Sequence, residues 1–353
     1  MRSVLNLPQA YRKLGPAARK RFDSIFAFSL DEGRLTVPDP MRPWAEKQFG
    51  SVAKLERQPI IKITDTVMYE GALFNKLRAD RPMHNEASVT RDELLAAAAK
   101  EPFSDVESNT PEDTFGRVYG RSETSASNVA KYDALHGLII FGKADPLAFT
   151  ERETVDHLEA AMAWIAAAQA EHPDARFPAI GWNCLWKAGA SLVHGHLQVL
   201  LSRTPYAAPL RYKERSDAYR RKTKRTYWDT LFAIHRDLGL GAERKGVRIF
   251  ASLTPRKEKE VVLLAERADD ALFSAVYRVL DAYRALGVES FNVALLFPPT
   301  NGSWKSFPVI ARVVDRGPLN ARTTDVAFVE LYLAQSVVSS DPAKVWAAVK
   351  RKV

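Results

Sequence analysis

Two histidines and a glutamine alternate within a short apolar stretch of this sequence. His194, His196 and Gln198 occupy every second position, with glycine and leucine between them. Residues two apart on a β-strand project from the same face, so we expect the three polar side chains to converge. An imidazole that donates from one ring nitrogen keeps a lone pair on the other and can attack phosphorus. The spacing therefore favours nucleophilic chemistry at a phosphoryl group, with the Gln198 amide donating to the phosphoryl oxygens.

The histidine pair is also compatible with two simpler roles. Both histidines could be hydrogen-bonded residues of an apolar core, or they could hold a metal ion. A metal site needs further ligands, and the remaining histidines have no regular spacing to the pair: His84, His136, His157, His172 and His235. Because Cys184 is the one cysteine, neither a disulfide framework nor a cysteine-rich zinc site can form within one chain.

Composition places the chain among folded globular proteins. Its 353 residues are 46% hydrophobic, which is enough for one large domain or two closely packed halves. No apolar run approaches the ~18 residues needed to cross a bilayer, and the first residues lack the apolar core of a signal peptide. We therefore expect a cytoplasmic protein without a membrane partner. The net charge of +9 suits an anionic ligand but does not identify it.

Residues 211–225 form the most basic stretch of the sequence. Tyr212, Tyr219, Tyr227 and Trp228 lie among or just after its arginines and lysines. Aromatic rings between cations can stack nucleic-acid bases. We favour the alternative, a solvated helix or loop whose aromatic residues pack inward, because such runs are common in proteins that bind no nucleic acid. Nucleic acid is therefore not the expected partner.

The chain repeats one order of predicted elements. An apolar strand at 135–142 precedes a helix that opens with a capping-box pattern, and two strands follow, the second of which carries the histidines. Strand 260–266 likewise precedes a helix at 270–286 and two further strands, and an asparagine, Asn183 or Asn292, recurs in the middle strand of each half. Internal duplication accounts for this order. It predicts an α+β fold of two related halves, with a mainly antiparallel sheet and helices packed on it.

The repeat divides the chain into three predicted segments. Residues 1–60, with several prolines, are expected to form an irregular N-terminal extension. Residues 61–205 carry the histidine strand. Residues 206–353 contain the basic connecting segment, a degenerate second half and a C-terminal helix.

The motif H-x-H-x-Q, preceded by Asn183, Gly189 and Ser191, resembles the active-site strand of the histidine-triad superfamily. More closely, it is similar to the galactose-1-phosphate uridylyltransferase branch, with its relatives diadenosine tetraphosphate phosphorylase and the ADP-sugar and GDP-sugar phosphorylases. That branch also consists of two related halves. The resemblance implies a nucleotidyltransferase or phosphorylase that acts on a nucleotide sugar or dinucleoside polyphosphate through a nucleotidyl-histidine intermediate.

The same resemblance assigns roles to the residues of the motif. His196 would be the nucleophile, and the His194 backbone carbonyl would orient its ring. Gln198 would bind the phosphoryl oxygens of the covalent intermediate. Ser191 would contact the donor phosphates, and Asn183 would support the loop or the phosphates.

The glycines and a more distant asparagine complete the implied site. Gly189 and Gly195 would allow close approach of the backbone. Asn128 resembles a family position that reaches the nucleoside, although the proline that follows in the family is absent here. A turn residue is the alternative interpretation of Asn128.

Departures from the family pattern shape the remaining expectations. Many relatives carry zinc on paired cysteine and histidine residues, and this chain has no such pair, so we expect no structural zinc; Mg²⁺ could assist phosphate binding. No histidine follows His235, so the second half should be catalytically silent. The implied partners are a nucleotide or nucleotide-sugar donor and a phosphate or sugar 1-phosphate acceptor, and a homodimer is compatible with them.

Two further functions are alternatives to transfer. A hydrolase would pass the nucleotidyl group to water, but hydrolytic relatives usually have a third histidine where this chain has Gln198. A non-catalytic nucleotide or nucleic-acid binder could keep the fold, and the basic stretch 211–225 favours it whereas His196 argues against it. The sequence does not identify the base, the sugar or the acceptor.

Overall fold

The structure, a computed structural model of the chain, describes residues 1–80, 86–322 and 324–353. Within these ranges the fold is α+β, with strands β1 (Phe26–Arg34), β2 (Arg57–Asp65), β3 (Glu70–Phe74), β4 (Thr124–Ser127), β5 (Leu135–Ile140), β6 (Phe177–Cys184), β7 (His196–Ser202), β8 (Gly241–Arg244), β9 (Val247–Ala251), β10 (Glu258–Ala265), β11 (Phe291–Leu296), β12 (Val309–Asp315) and β13 (Gln335–Val338). The α-helices are α1 (Leu7–Lys13), α2 (Pro16–Asp23), α3 (Arg42–Phe49), α4 (Val52–Glu56), α5 (Arg91–Ala98), α6 (Val106–Asn109), α7 (Glu151–Glu171), α8 (Ala207–Thr223), α9 (Tyr227–Asp237), α10 (Asp270–Ala285), α11 (Phe328–Leu333) and α12 (Pro342–Val349).

One large antiparallel sheet unites the two predicted halves. Its nine strands follow the order β4-β5-β7-β6-β11-β12-β10-β9-β8. The run β5-β7-β6 is mirrored by β11-β12-β10 across the central β6–β11 pair, which is where Asn183 lies directly opposite Asn292. The α+β fold of two related halves is therefore confirmed, and the halves share a single sheet.

Two long helices cover one face of this sheet. Helix α7 begins at the predicted capping box, in which the Thr150 side chain accepts the N–H of Glu153 and the Glu153 side chain accepts the N–H of Thr150. Helix α10 begins with the Asp269 carboxylate accepting two backbone N–H groups. Their apolar residues are buried against the strands and against each other. This packing leaves the opposite face of the sheet available for polar side chains.

The N-terminal region is more regular than the sequence suggests. Its prolines Pro8, Pro16 and Pro43 occupy the first turns of α1, α2 and α3, where a residue without an N–H is tolerated. Strands β1, β2, β3 and β13 form a second sheet. Strand β2 runs through residue 60, so the predicted end of the N-terminal extension falls inside a strand.

The basic stretch forms most of α8 and ends just before α9 begins. Tyr212, Tyr219, Tyr227 and Trp228 are all buried, which confirms the inward packing of the aromatic residues, and the stretch is a helix rather than a loop. No helix in the described ranges combines the length and apolar character needed to cross a membrane.

Candidate active site around His196

Strand β7 separates polar and apolar side chains onto opposite faces of the sheet. Leu197, Val199 and Leu201 are 0–1% exposed and lie on the face covered by α7. His196 and Gln198 project from the other face, because alternate residues of a strand point in opposite directions. His194 precedes the first residue of the strand, so its position is set by the loop rather than by the pleat.

The imidazole of His196 is held in one orientation. Its Nδ1 lies 2.8 Å from the backbone carbonyl oxygen of His194. A carbonyl oxygen can only accept, so Nδ1 carries the proton and the lone pair is on Nε2. Burial lowers the pKa of His196 below its usual value and outweighs the opposing effect of this hydrogen bond. His196 is therefore neutral near pH 7, with a nucleophilic Nε2.

His194 supports the site through its backbone and its ring. Its Nε2 lies 2.8 Å from the Phe141 carbonyl oxygen and therefore donates to it. Its Nδ1 is buried and has no hydrogen-bond partner among the described residues, so this acceptor next to His196 is unused there. The carbonyl role assigned to His194 by the family resemblance matches the observed geometry.

The glycines of the loop satisfy two different steric demands. Gly189 has a φ of +93°, a backbone conformation that side chains with a Cβ rarely adopt. A Cβ on Gly195 would lie 2.5 Å from Cδ2 of Phe141, so the loop can approach that ring only with glycine. Ser191 lies between them and is exposed, which leaves its hydroxyl accessible to a ligand.

Asn183 links the candidate site to the second half of the chain. The Nδ2 of Asn292 donates to the Oδ1 of Asn183 at 2.7 Å and to the carbonyl of Ala188 at 2.9 Å. The Nη1 of Arg316 donates in turn to the Oδ1 of Asn292 at 2.6 Å. Because its oxygen is engaged, the Asn183 amide keeps its N–H groups as donors. The second half therefore positions a residue of the first-half site.

His136 on β5 is a site residue that the sequence did not single out. It is completely buried, accepts the N–H of Tyr132 at Nδ1 (3.0 Å) and is hydrogen-bonded to the Gln198 side chain. Burial, assisted by the charge of Lys131, lowers the pKa of His136 to about 4. It is therefore a neutral partner that orients the Gln198 amide. Its signal in the sequence is slight, a single polar residue within an apolar strand.

Asn128 joins this group through His136. Its Nδ2 lies 3.2 Å from His136 Nε2, and its Oδ1 accepts the N–H of Ala130 at 3.0 Å. The second contact closes a turn, in agreement with the alternative interpretation of Asn128. The structure thus places Asn128 next to His136, and these hydrogen bonds do not reach His196.

An aromatic residue, Phe103, packs against the ring of His196. The ring of Phe103 meets that of His196 edge to face, with 5.2 Å between ring centroids and 71° between planes. Phe103 packs in one cluster with Ala126, Leu138 and Ile140. All four residues of this cluster are buried.

The histidine pair does not form a metal site with other side chains. No group of three or more histidine, cysteine, aspartate or glutamate residues converges in the part of the chain that the structure describes. Cys184 is buried, and burial raises the pKa of its thiol, which disfavours the thiolate that zinc requires. These residues do not fit a structural zinc site; His84 lies outside the described residues.

Comparison with known proteins identifies structures of the same fold. No protein-family model matches the chain, and no curated protein sequence matches it. A crystal structure of an ADP-glucose phosphorylase from Arabidopsis thaliana with bound ADP-glucose matches with a TM-score of 0.60 and 12% identity, covering 82% of this chain and 98% of that one. A GalT-like protein from Arabidopsis thaliana matches with a TM-score of 0.59, 12% identity and the same coverage.

A third structure, of a uridylyltransferase, matches with a TM-score of 0.54 and 14% identity, covering 82% of this chain and 97% of that one. At these identities the likeness concerns the fold. The resemblance to the galactose-1-phosphate uridylyltransferase branch, first indicated by the H-x-H-x-Q motif, is thereby confirmed at the level of the fold.

Proposed function

From a fold shared with an ADP-glucose phosphorylase and a uridylyltransferase, we propose that this chain transfers a nucleoside monophosphate group from a nucleotide sugar or dinucleoside polyphosphate. His196 is the nucleophile, and the acceptor is phosphate or a sugar 1-phosphate. The observation that carries the proposal is the 2.8 Å contact between His196 Nδ1 and the His194 carbonyl, because it leaves Nε2 free to attack.

In the first step, Nε2 of His196 attacks the α-phosphorus of the donor. A P–N bond forms, and the bond from phosphorus to the leaving-group oxygen breaks. The ring becomes positively charged, and the Nδ1 proton remains hydrogen-bonded to the His194 carbonyl, which stabilises that charge. The leaving group departs as a phosphorylated anion, whose low basicity makes protonation by the protein unnecessary.

In the second step, an oxygen of the acceptor attacks the same phosphorus, and the P–N bond breaks. The electron pair returns to Nε2, and the neutral imidazole is restored. The Gln198 amide, oriented by His136, donates to the phosphoryl oxygens in both steps. Ser191 and the Asn183 amide supply further donors, and Mg²⁺ could assist in holding the phosphates.

Gln198 favours transfer over hydrolysis. An amide donates hydrogen bonds but does not accept and release protons near neutral pH, so it cannot activate a water molecule as an imidazole would. A binding function without chemistry remains the second candidate, and the oriented, neutral His196 argues against it.

Isotope exchange tests the proposed double displacement. A covalent intermediate lets the enzyme exchange labelled glucose 1-phosphate into ADP-glucose or UDP-glucose without any second acceptor. We expect exchange with the wild type and none with His196→Asn. The control is His172→Asn, because His172 is the C-cap residue of α7, the helix on the face of the sheet opposite to His196. Binding of nucleotide sugars without exchange would favour the binding function.

A further inference from the structure

The loop that leads into β7 is held by a carboxylate from a distant part of the chain. Glu101 accepts the backbone N–H of Val193 at 2.7 Å through Oε1 and that of His194 at 2.8 Å through Oε2. Glu101 lies between α5 and the short helical turn Pro102–Ser104. Hydrogen bonds to a carboxylate are stronger than those between neutral groups. One side chain therefore fixes two successive peptide groups of a loop.

His194 transmits this restraint to the nucleophile. Its backbone N–H donates to Glu101, and its backbone carbonyl accepts the Nδ1–H of His196. Its ring Nε2–H donates a hydrogen bond to the Phe141 carbonyl. The N–H and the carbonyl belong to the two peptide groups that meet at the His194 Cα, so a shift of that Cα would disturb both contacts.

The same segment also touches the ring of the nucleophile. Phe103, two residues after Glu101, packs edge-on against His196. The segment thus restrains His196 from two directions, through its ring and through the carbonyl behind it.

We propose that Glu101 is a positioning residue for His196. It holds the His194 peptide so that the carbonyl selects the imidazole tautomer with a proton on Nδ1 and a lone pair on Nε2. Glu101 acts through the backbone of Val193 and His194. The consequence for reaction rate rests on the proposed function, whereas the consequence for the tautomer does not.

Nitrogen NMR of histidine-labelled protein tests the structural part of this inference. The test variant is Glu101→Gln, which keeps the size of the side chain but replaces one acceptor oxygen by an N–H₂ group. The control is Glu107→Gln, the same charge change on the exposed side chain of a residue in α6. The His196 signals are identified by their loss in His196→Asn.

We expect the wild type and Glu107→Gln to show His196 with Nδ1 protonated and Nε2 unprotonated. Glu101→Gln should show a mixture of the two tautomers. Glu101→Ala, which removes both acceptors, should show the same mixture and replaces Glu101→Gln in the test if that variant does not fold. An unchanged tautomer in a folded Glu101 variant would overturn the inference, even if the protein transfers no nucleotide.

Single-turnover kinetics supply the second readout. Misplacement of a reacting group by a fraction of an ångström to one ångström reduces rates by about 10- to 100-fold, so nucleotidylation of His196 should slow by that factor in Glu101→Gln. The dissociation constant of the donor should change little. Faster nucleotidylation, or tighter binding of inorganic phosphate, would instead identify Glu101 as a group that blocks an anion site and would overturn the positioning role.

Discussion

Strands β7 and β12 occupy corresponding places in the two halves of the large sheet, yet their open faces carry different chemistry. On β7 the side chains are neutral, an imidazole with a lone pair at His196 and an amide at Gln198. On β12 the guanidinium of Arg312 donates to both carboxylate oxygens of Glu260, at 2.8 and 3.0 Å. The first face carries uncharged polar groups, whereas the charges on the second pair with each other.

The charge network on the second face joins three parts of the molecule. Arg312 also donates to the hydroxyl of Tyr212 at 2.6 Å, and that hydroxyl donates to Glu70 on β3 at 2.8 Å. Burial alone would raise the pKa of Glu70, but the charges of Arg312 and Arg256 outweigh it and lower the pKa to about 2. This network therefore attaches α8 and the second sheet, which contains β3, to the open face of β12. This difference accounts for the expectation that only the first half is catalytic.

Breaking the network should have the largest effect on stability. Arg312→Met leaves Glu260 buried without the guanidinium that pairs with both of its oxygens, and loss of one member of a buried ion pair costs about 3–5 kcal/mol. Glu70 keeps Arg211 and Arg256 as partners. Denaturant unfolding should show this loss. Arg203→Met is the control, because its pair with Asp174 is exposed and should be worth at most about 1 kcal/mol.

The same variant separates the two faces functionally. Nucleotidylation of His196 per folded molecule should be nearly unchanged in Arg312→Met, because no contact of Arg312 reaches β7. A stability equal to that of the wild type would show that the network on β12 is not structural.

Acid should weaken the contributions of the two open faces to stability in different pH ranges. Burial lowers the pKa of His136 to about 4, from 6.5. Between these pH values His136 is protonated in the unfolded chain but neutral in the folded chain. The free energy of unfolding therefore falls as pH decreases from about 6.5 to 4, by up to about 3 kcal/mol. For Glu70, with a pKa lowered from 4.5 to about 2, the loss occurs as pH falls from about 4.5 to 2.

Unfolding midpoints measured across pH resolve these two contributions. In His136→Gln the unfolding midpoint should depend less on pH between about 6.5 and 4. In Glu70→Gln it should depend less on pH between about 4.5 and 2. Part of the upper slope remains in His136→Gln, because burial lowers the pKa of His235 to about 4 as well. Identical pH profiles for both variants would contradict the separate environments of the two faces.

A smaller effect is expected from a change within the β7 face itself. Gln198→His introduces an imidazole that can exchange protons with water. The ratio of hydrolysis to transfer should increase by about 10-fold, which is below the ~10²- to 10⁴-fold typical of a well-positioned general acid or base. Product analysis with a labelled nucleotide sugar measures this ratio. An unchanged ratio would mean that Gln198 does not decide between water and the acceptor.

Much of the sheet could be predicted from the sequence because its signals are local. The alternation of His196 and Gln198 with apolar residues identifies β7, and the Thr150 capping box marks the start of α7. The prediction of an irregular N-terminal segment is wrong because proline suits the first turn of a helix as well as a loop. Three of the prolines there begin helices.

Residues brought to the site by tertiary structure were not predictable in the same way. Glu101 precedes His194 by 93 positions. It follows the alanine-rich helix α5 and belongs to no recognisable sequence motif. His136 lies on a separate strand, and the register between β5 and β7 sets it opposite Leu200, two residues along the strand from Gln198. Such contacts depend on how strands pair, which alternation within one strand does not reveal.

The central claim is that Nε2 of His196 becomes bonded to phosphorus. The most direct measurement incubates the protein with α-phosphate-labelled ADP-glucose, UDP-glucose and diadenosine tetraphosphate, followed by acid or base treatment and mass spectrometry of the labelled peptide. A phosphoramidate is stable in base and labile in acid, so we predict base-stable, acid-labile label on His196 and none on His196→Asn. Donor binding by the wild type without any such label would contradict the account.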